Sequence, residues 1–134
     1  MENFIKIQQF IFQTLANNDL LKEVAVFNQV PKNTSFPYIF LGKFYISDKS
    51  TKDIARFFSV YEVHLYSRNT SVEKILFWIT EIKKTLSVRD VSLKNVHITE
   101  VGFMETAIDI MSDGKTHRAI TKFRINAGET YARI

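Results

Sequence analysis

Two segments of this 134-residue chain alternate between apolar and polar positions, and this pattern constrains the fold more than any other feature. In residues 56–66 large apolar side chains take odd positions: Phe57, Tyr61, Val63 and Leu65. In residues 116–125 the odd positions again hold the less polar set: His117, Ala119, Thr121, Phe123 and Ile125. A period of two is typical of strands with one face in the core. The chain therefore needs a sheet with a covering layer.

Two helical patterns supply that layer. Apolar residues spaced by three and four predict a first helix whose buried face holds Phe4, Ile7, Ile11 and Leu15. A second helix follows the capping-box pattern that begins at Thr70 and ends at Glu73. Its predicted buried face consists of Ile75, Ile79, Ile82 and Leu86. Five charged residues of this helix are expected to be mostly solvated: Glu73, Lys74, Glu81, Lys83 and Lys84.

The remaining segments predict further strands. Residues 24–27 suit a short strand, and residues 37–47 form a long strand paired with residues 56–66 in an antiparallel hairpin. Residues 93–104 predict a strand that continues irregularly to Ile110, before a turn around Gly114. The order α, β, β, β, α, β, β indicates an α+β fold, a mainly antiparallel β-sheet packed with two α-helices.

Length and composition limit the class of protein. With 134 residues and 46% hydrophobic content, residues 1–134 are expected to form a single domain, with residues 126–134 as a mobile C-terminal tail or a contact segment. The absence of cysteine excludes disulfides, thiolate metal sites and thiol enzymes. The longest apolar run, residues 75–79, is far shorter than the ~20 residues that cross a bilayer, and the N-terminus does not resemble a secretory signal.

Residues that could carry chemistry do not form a known motif. His64, His97 and His117 have no second histidine or carboxylate at the spacing of a metal site or a catalytic triad. Late carboxylates are expected to be scattered over both strand faces: Glu100, Glu105, Asp109 and Asp113. The glycines form neither a phosphate loop nor a dinucleotide fingerprint. No catalytic residue, cofactor or metal is therefore expected.

Three cations share one side of the last predicted strand. Arg118, Lys122 and Arg124 form a linear patch that could meet a phosphate backbone, in a chain of net charge +4 and pI near 9.3. The alternative is a solvated sheet face or one covered by another subunit. Aromatic side chains in residues 38–45 and 57–66 could stack on RNA bases, but a buried aromatic core is the favoured interpretation.

Several local motifs resemble one protein family when they are taken in order. Pro31 precedes the sequence Phe-Pro-Tyr-Ile-Phe-Leu-Gly at residues 36–42. Leu-Tyr-Ser-Arg at residues 65–68 stands just before the second helix, and Asp-Gly-Lys-Thr-His at residues 113–117 leads to Phe-Arg at residues 123–124. The order and spacing are similar to the tail completion family of long-tailed phages, prophages and gene transfer agents, also called tail-to-head joining or tail terminator proteins.

The resemblance extends over residues 4–126 and implies a function. Members of the family are non-enzymatic virion parts that cap the tail tube and dock it to the head connector or stopper protein, as a ring of six copies. It implies a virion or prophage-encoded particle assembled in the host cytoplasm, with no membrane partner. Arg118, Lys122 and Arg124 would lie on the ring interface or towards the channel that DNA crosses, with their charge favouring the channel. Lys49 and Lys52 depart from the glycine-rich, acidic loop of relatives.

Two other classes of function stay open. A small basic nucleic-acid-binding module is favoured by the pI and the cationic strand face. Salt-dependent binding of DNA or RNA by a monomer would support it against a ring-forming protein. A small enzyme with His64 or His117 as its base has the least support.

Overall fold

A computed structural model describes residues 2–130 as helices packed on one six-stranded sheet. The helices are α1 (Phe4–Ala16) and α2 (Val72–Leu86), with a short 3₁₀ turn at Asp19–Leu21. The strands in chain order are β1 (Ala25–Phe27), β2 (Tyr38–Asp48), β3 (Arg56–Arg68), β4 (Arg89–Leu93), β5 (Val96–Ile110) and β6 (Thr116–Glu129). The predicted α+β class is confirmed.

The strands lie in the order β1-β2-β3-β6-β5-β4. β1 runs parallel to β2, and every other neighbouring pair is antiparallel. The predicted hairpin between β2 and β3 is confirmed. Long strands β3 and β6 pair along their whole length at the centre, with Tyr61 opposite Phe123.

The hydrophobic core lies between the helices and one face of the sheet, called the core face. The predicted helix faces are confirmed, since each of their apolar residues is buried: Phe4, Ile7, Ile11 and Leu15 in α1, and Ile75, Ile79, Ile82 and Leu86 in α2. The odd-numbered residues of β3 and β6 line the core face, as their alternation predicts. The even-numbered residues line the opposite surface, called the outer face.

The start of α2 differs from the prediction by one residue. Ser71, not Thr70, is the N-cap, and its hydroxyl accepts a hydrogen bond from the backbone N–H of Lys74. The Thr70 hydroxyl instead donates to the carbonyl of Arg68. Sequence patterning also missed burial of Trp78 on α2. It was wrong about Glu81, which is buried rather than solvated.

The segment after α2 also departs from the predicted single strand. Residues 89–93 form the separate strand β4, which pairs antiparallel with the first part of β5. Asn95, in the tight turn between them, has a φ of 65°, a conformation that asparagine tolerates well. At the other end, β6 continues to Glu129, because its last residues pair with both β3 and β5. Of the predicted tail, residues 131–134 lie outside the described residues.

Each of three β-bulges holds one extra residue. In β2 the register shifts between Phe40 and Lys43, and in β5 it shifts around Thr99 and again around Met104. A bulge places two residues of one strand opposite one residue of its partner. Beyond the bulge, a face that was lined by even-numbered residues is lined by odd-numbered ones, or the reverse. Lys43 therefore shares the outer face with Phe40, three residues before it.

Gly42, at the bulge in β2, leaves room for the ring of Phe40. A Cβ atom at this position would collide with that ring, which packs edge-on against His64 at a centroid distance of 5.9 Å. We expect Gly42→Ala to lower the free energy of unfolding by about 1–3 kcal/mol, the usual cost of overpacking. Denaturant unfolding measures the change.

A double-mutant cycle tests the cause of that loss. In a Phe40→Ala background, Gly42→Ala should cost much less, because the colliding ring is gone. An equal loss in both backgrounds would mean that Gly42 matters for its backbone and not for the space it leaves.

Candidate functional site

The three predicted cations lie together on the outer face of β6. Arg118, Lys122 and Arg124 occupy even positions of this strand, between β3 on one side and β5 on the other. The structure therefore brings together the site residues that the alternation predicted. It also surrounds them with carboxylates, which the sequence did not predict.

Arg118 is held by an aspartate of the neighbouring strand. Its Nε and Nη2 atoms donate to the two carboxylate oxygens of Asp109, at 3.3 and 3.0 Å. This hydrogen-bonded pairing raises the pKa of Arg118 above its ordinary value. A guanidinium in a two-point contact with a carboxylate has fewer donors left for a phosphate.

Arg124 is held in a similar way across β5. Its Nε donates to Glu100 at 3.1 Å, and its Nη1 donates to the carbonyl oxygen of Phe103 at 3.2 Å. Gly102 makes this path possible, since a Cβ there would lie 2.7 Å from the guanidinium carbon. Arg89 approaches the second oxygen of Glu100 at 3.4 Å. An isolated glycine within a strand pattern can signal such a crossing side chain.

Lys122 lies between two acidic positions, with Glu62 opposite on β3 and Glu105 opposite on β5. The prediction that the late carboxylates scatter over both faces is wrong for this strand. The bulge at Met104 returns Glu105 to the outer face that Glu100 already shares. The outer face therefore alternates basic and acidic rows and is not a continuous basic stripe.

Beside these charged rows, the outer face of β2 and β3 holds a cluster of aromatic rings. Tyr38 stacks on Tyr66 with ring centroids 5.1 Å apart, and Phe36 stacks on Tyr38 at 5.4 Å. The guanidinium carbon of Arg68 lies 4.5 Å from the ring centroid of Phe36. Burial, with a smaller effect from Tyr66, raises the pKa of Tyr38. Because the rings stack on one another, they offer few free faces on which nucleic-acid bases could stack.

Two of the three histidines have a carboxylate neighbour in the fold, which motif spacing in the sequence does not reveal. His64 is buried on the outer face, with Nε2 2.7 Å from Oε1 of Glu62 two residues away on the same face. His97 lies 3.4 Å from Asp90, across the β4–β5 pair. The Nδ1 atom of His117 is buried and has no hydrogen-bond partner among the described residues. No group of three metal-binding side chains occurs within residues 2–130.

The turn between β5 and β6 is fixed by Asp113. One carboxylate oxygen accepts the backbone N–H groups of Lys115 and Thr116, each at 2.9 Å. The other accepts the Thr116 hydroxyl at 2.6 Å and Nη2 of Arg68 at 3.0 Å. These hydrogen bonds, with that of the Thr116 side chain the largest cause, hold the pKa of Asp113 well below its usual range.

This lowered pKa predicts a pH-dependent contribution to stability. The carboxylate stabilises the fold above about pH 4, the pKa in the unfolded chain, and the contribution is lost as pH falls towards the lower folded pKa. Asp113→Asn should therefore lower the melting temperature at pH 7 and have a smaller effect at pH 3. The control is Asp53→Asn, in the exposed loop after β2. An equal effect of Asp113→Asn at both pH values would contradict the prediction.

Comparison with known proteins identifies the family. A family model described as Tail completion protein gp17 matches residues 9–127. The chain belongs to this tail completion family. It is a structural protein of the phage tail. The match includes Arg118, Lys122 and Arg124 and every strand from β1 to β5.

A solved structure has the same fold as this tail completion protein. One chain of "Virion of native gene transfer agent (GTA) particle" superposes with a TM-score of 0.79 and 17% sequence identity, covering 88% of this chain and 91% of that chain. At this identity the likeness concerns the fold. None of the curated proteins compared with the chain matches it. Within residues 2–130, neither helix has the length and apolar character to cross a membrane.

Proposed function

We propose that this tail completion protein caps the finished tail tube and joins the tail to the head connector or stopper protein, as a ring of six identical copies. The observation that carries the proposal is the family match over residues 9–127. Identical subunits in head-to-tail contact close a ring when their rotation divides a full turn. Residues 1–134 act as one domain in each copy.

The charge pattern of the outer face supports a role in protein contact. Arg118 and Arg124 are already bound to carboxylates, and Lys122 lies between two more. A face of alternating charge suits another mixed-charge protein surface, where complementary charges set register and exclude wrong partners. We therefore place these cations at a subunit or tail-tube interface, with at most transient contact with passing DNA.

The protein acts as a non-enzymatic component of a virion or prophage-encoded particle, assembled in the host cytoplasm. His64 serves the fold, since it is buried among Phe40, Tyr66 and Glu62. Its partners are further copies of itself, the tail tube protein and the head connector. No cofactor is needed for this role.

The test uses purified protein mixed with tubes of its cognate tail tube protein. We expect rings at one end of the tubes in negative-stain electron microscopy, tubes that stop growing, and tails that join heads only after capping. Tubes that grow unchanged and carry no ring would overturn the proposal.

A parallel assay tests the nucleic-acid module. Fluorescence anisotropy with short duplex DNA, repeated over a range of salt concentrations, measures binding by the free protein. We expect weak binding that changes little in a triple variant Arg118→Gln, Lys122→Gln, Arg124→Gln. Tight binding by a monomer that this variant abolishes would support the alternative module instead.

A further inference from the structure

Two strands of the sheet have edges that are covered over only part of their length. β1 pairs with residues 38–40 of β2, and the side chain of Gln8 donates to the carbonyl of Leu41. Beyond these contacts, residues 42–48 of β2, called the β2 edge segment, have no strand on that side among the described residues. An uncovered edge presents unpaired backbone N–H and C=O groups, ready to pair with another chain.

β5 has a matching uncovered edge on the opposite side of the sheet. β4 pairs with β5 as far as Glu100, and the N–H of Val101 donates to the carbonyl of Val88 at 2.9 Å. Within the part of the chain that the structure describes, no strand covers residues 102–110 on that side; these are called the β5 edge segment. The two edge segments are of similar length.

The directions of the two strands suit pairing between copies. β2 is antiparallel to β3, β3 to β6, and β6 to β5, so β5 runs opposite to β2. If a second copy is placed beside the first in the same orientation, its β2 edge segment meets the β5 edge segment of the first copy antiparallel. Such a contact is head-to-tail, the type that closes rings.

The side chains of the two segments are complementary. Both carry exposed apolar residues, with Phe44 and Tyr45 on β2 and Ile108 and Ile110 on β5. On the outer face the β2 edge segment presents the exposed base Lys43, and the β5 edge segment presents acids, including Asp109. The Asp109 carboxylate already accepts from Arg118, but it is about half exposed and keeps lone pairs for a second base. Of the antiparallel registers that pair most of both segments, the one that sets Lys43 opposite Asp109 also sets Tyr45 opposite Ala107 and matches outer-face with outer-face positions. Phe44 then faces Ile108 on the core-face side.

We propose that the β5 edge segment of one copy pairs with the β2 edge segment of the next copy, so that the sheets of neighbouring subunits continue around the ring. The occupant of each uncovered edge is a second copy of this chain. This inference rests on the proposed ring and adds the surface that forms it. Main-chain hydrogen bonds supply affinity, and the Lys43–Asp109 pair fixes the register.

The geometry also sets the tilt of the subunits. The β2 edge segment lies where β3 begins, with Asp48 opposite Phe57, whereas the β5 edge segment ends beside the start of β6, with Ile110 opposite His117. The edges are therefore at opposite ends of the sheet as well as on opposite sides. Neighbouring copies must be staggered along the strands, and a ring absorbs this stagger by tilting them, as closed barrels do.

Disulfide trapping tests the pairing directly, because the chain has no cysteine. In the double variant Tyr45→Cys, Ala107→Cys, the two positions would lie opposite each other across the interface, within reach of a disulfide. Within one chain β3 and β6 separate them, so an internal bridge cannot form without rearrangement. After oxidation of rings on tail tubes, we expect a ladder of multimers on a non-reducing gel, which collapses to one band on reduction.

The control moves one cysteine off the edge, in Tyr45→Cys with Glu73→Cys on the exposed face of α2. It should form rings without a ladder. Rings of the first variant that give no ladder would overturn the edge pairing and leave the capping function standing. A parent protein that forms no ring on tail tubes would overturn both.

Charge reversal supplies a second measurement. Lys43→Glu would set two acids opposite each other and should raise the protein concentration needed for ring formation about tenfold. The control is Lys22→Glu, at an exposed position beside the 3₁₀ turn. Equal ring formation by Lys43→Glu and the parent would contradict the assigned register, and circular dichroism checks that both variants are folded.

Discussion

Replacing Phe123 with alanine is expected to lower the free energy of unfolding by about 3–5 kcal/mol, the range for removal of a buried aromatic side chain. Phe123 is 1% exposed in the middle of β6. It lies opposite Tyr61 on β3 and edge-on to Phe103 on β5, with ring centroids 6.2 Å apart. The cavity would open at the centre of the sheet, where three long strands restrict collapse. Urea unfolding at constant slope measures the loss.

Phe77→Ala is the matched control, because the same side chain is removed from an exposed position on α2. Surface substitutions of this kind usually change stability by no more than about 0.5 kcal/mol. If both variants unfold at the same urea concentration, Phe123 does not belong to the core.

Ile79→Ala is expected to cost about 2–5 kcal/mol, since it removes a buried aliphatic side chain from the contact between α2 and the sheet. Thermal and urea unfolding of the free protein provide the measurement. Leu76→Ala removes a similar volume from an exposed position of the same helix. A loss for Ile79→Ala no larger than for Leu76→Ala would take this helix face out of the core.

Periodicity predicted the helices and strands in which apolar residues recur at a constant spacing along a long segment. The helix faces through Ile11 and Ile79 and the alternation around Tyr61 each arise from a single core that every residue of the segment must face or avoid. Strand β4 was missed because its residues are mostly exposed and carry little apolar pattern. The helix cap was assigned one residue early because Thr70 and Ser71 are both good caps, and only local geometry selects between them.

The sequence predicted that the three cations lie together, but it did not predict the carboxylates around them. Arg118, Lys122 and Arg124 lie on one strand, so alternation alone puts them together. Their acidic neighbours come from β3 and β5, and placing them requires the register between strands. Counting by twos from Glu105 puts Gly102 on the wrong face, because the bulge at Met104 adds a residue that the sequence does not mark. Which charges lie next to each other on a sheet therefore depends on the register between strands and cannot be derived from one strand alone.

The three bulges also affect which changes of chain length the strands can accept as the sequence diverges. Each holds one residue that has no partner of its own across the ladder, at Gly42 or its neighbour Leu41, at Thr99 and at Met104. Deleting that residue would restore regular pairing and leave every flanking side chain on its present face. Deletion of the extra residue is therefore tolerable at these points, whereas a one-residue deletion elsewhere in a strand would move the following core side chains to the outer face. This tolerance offers one physical route by which chains sharing 17% of their residues keep the same sheet.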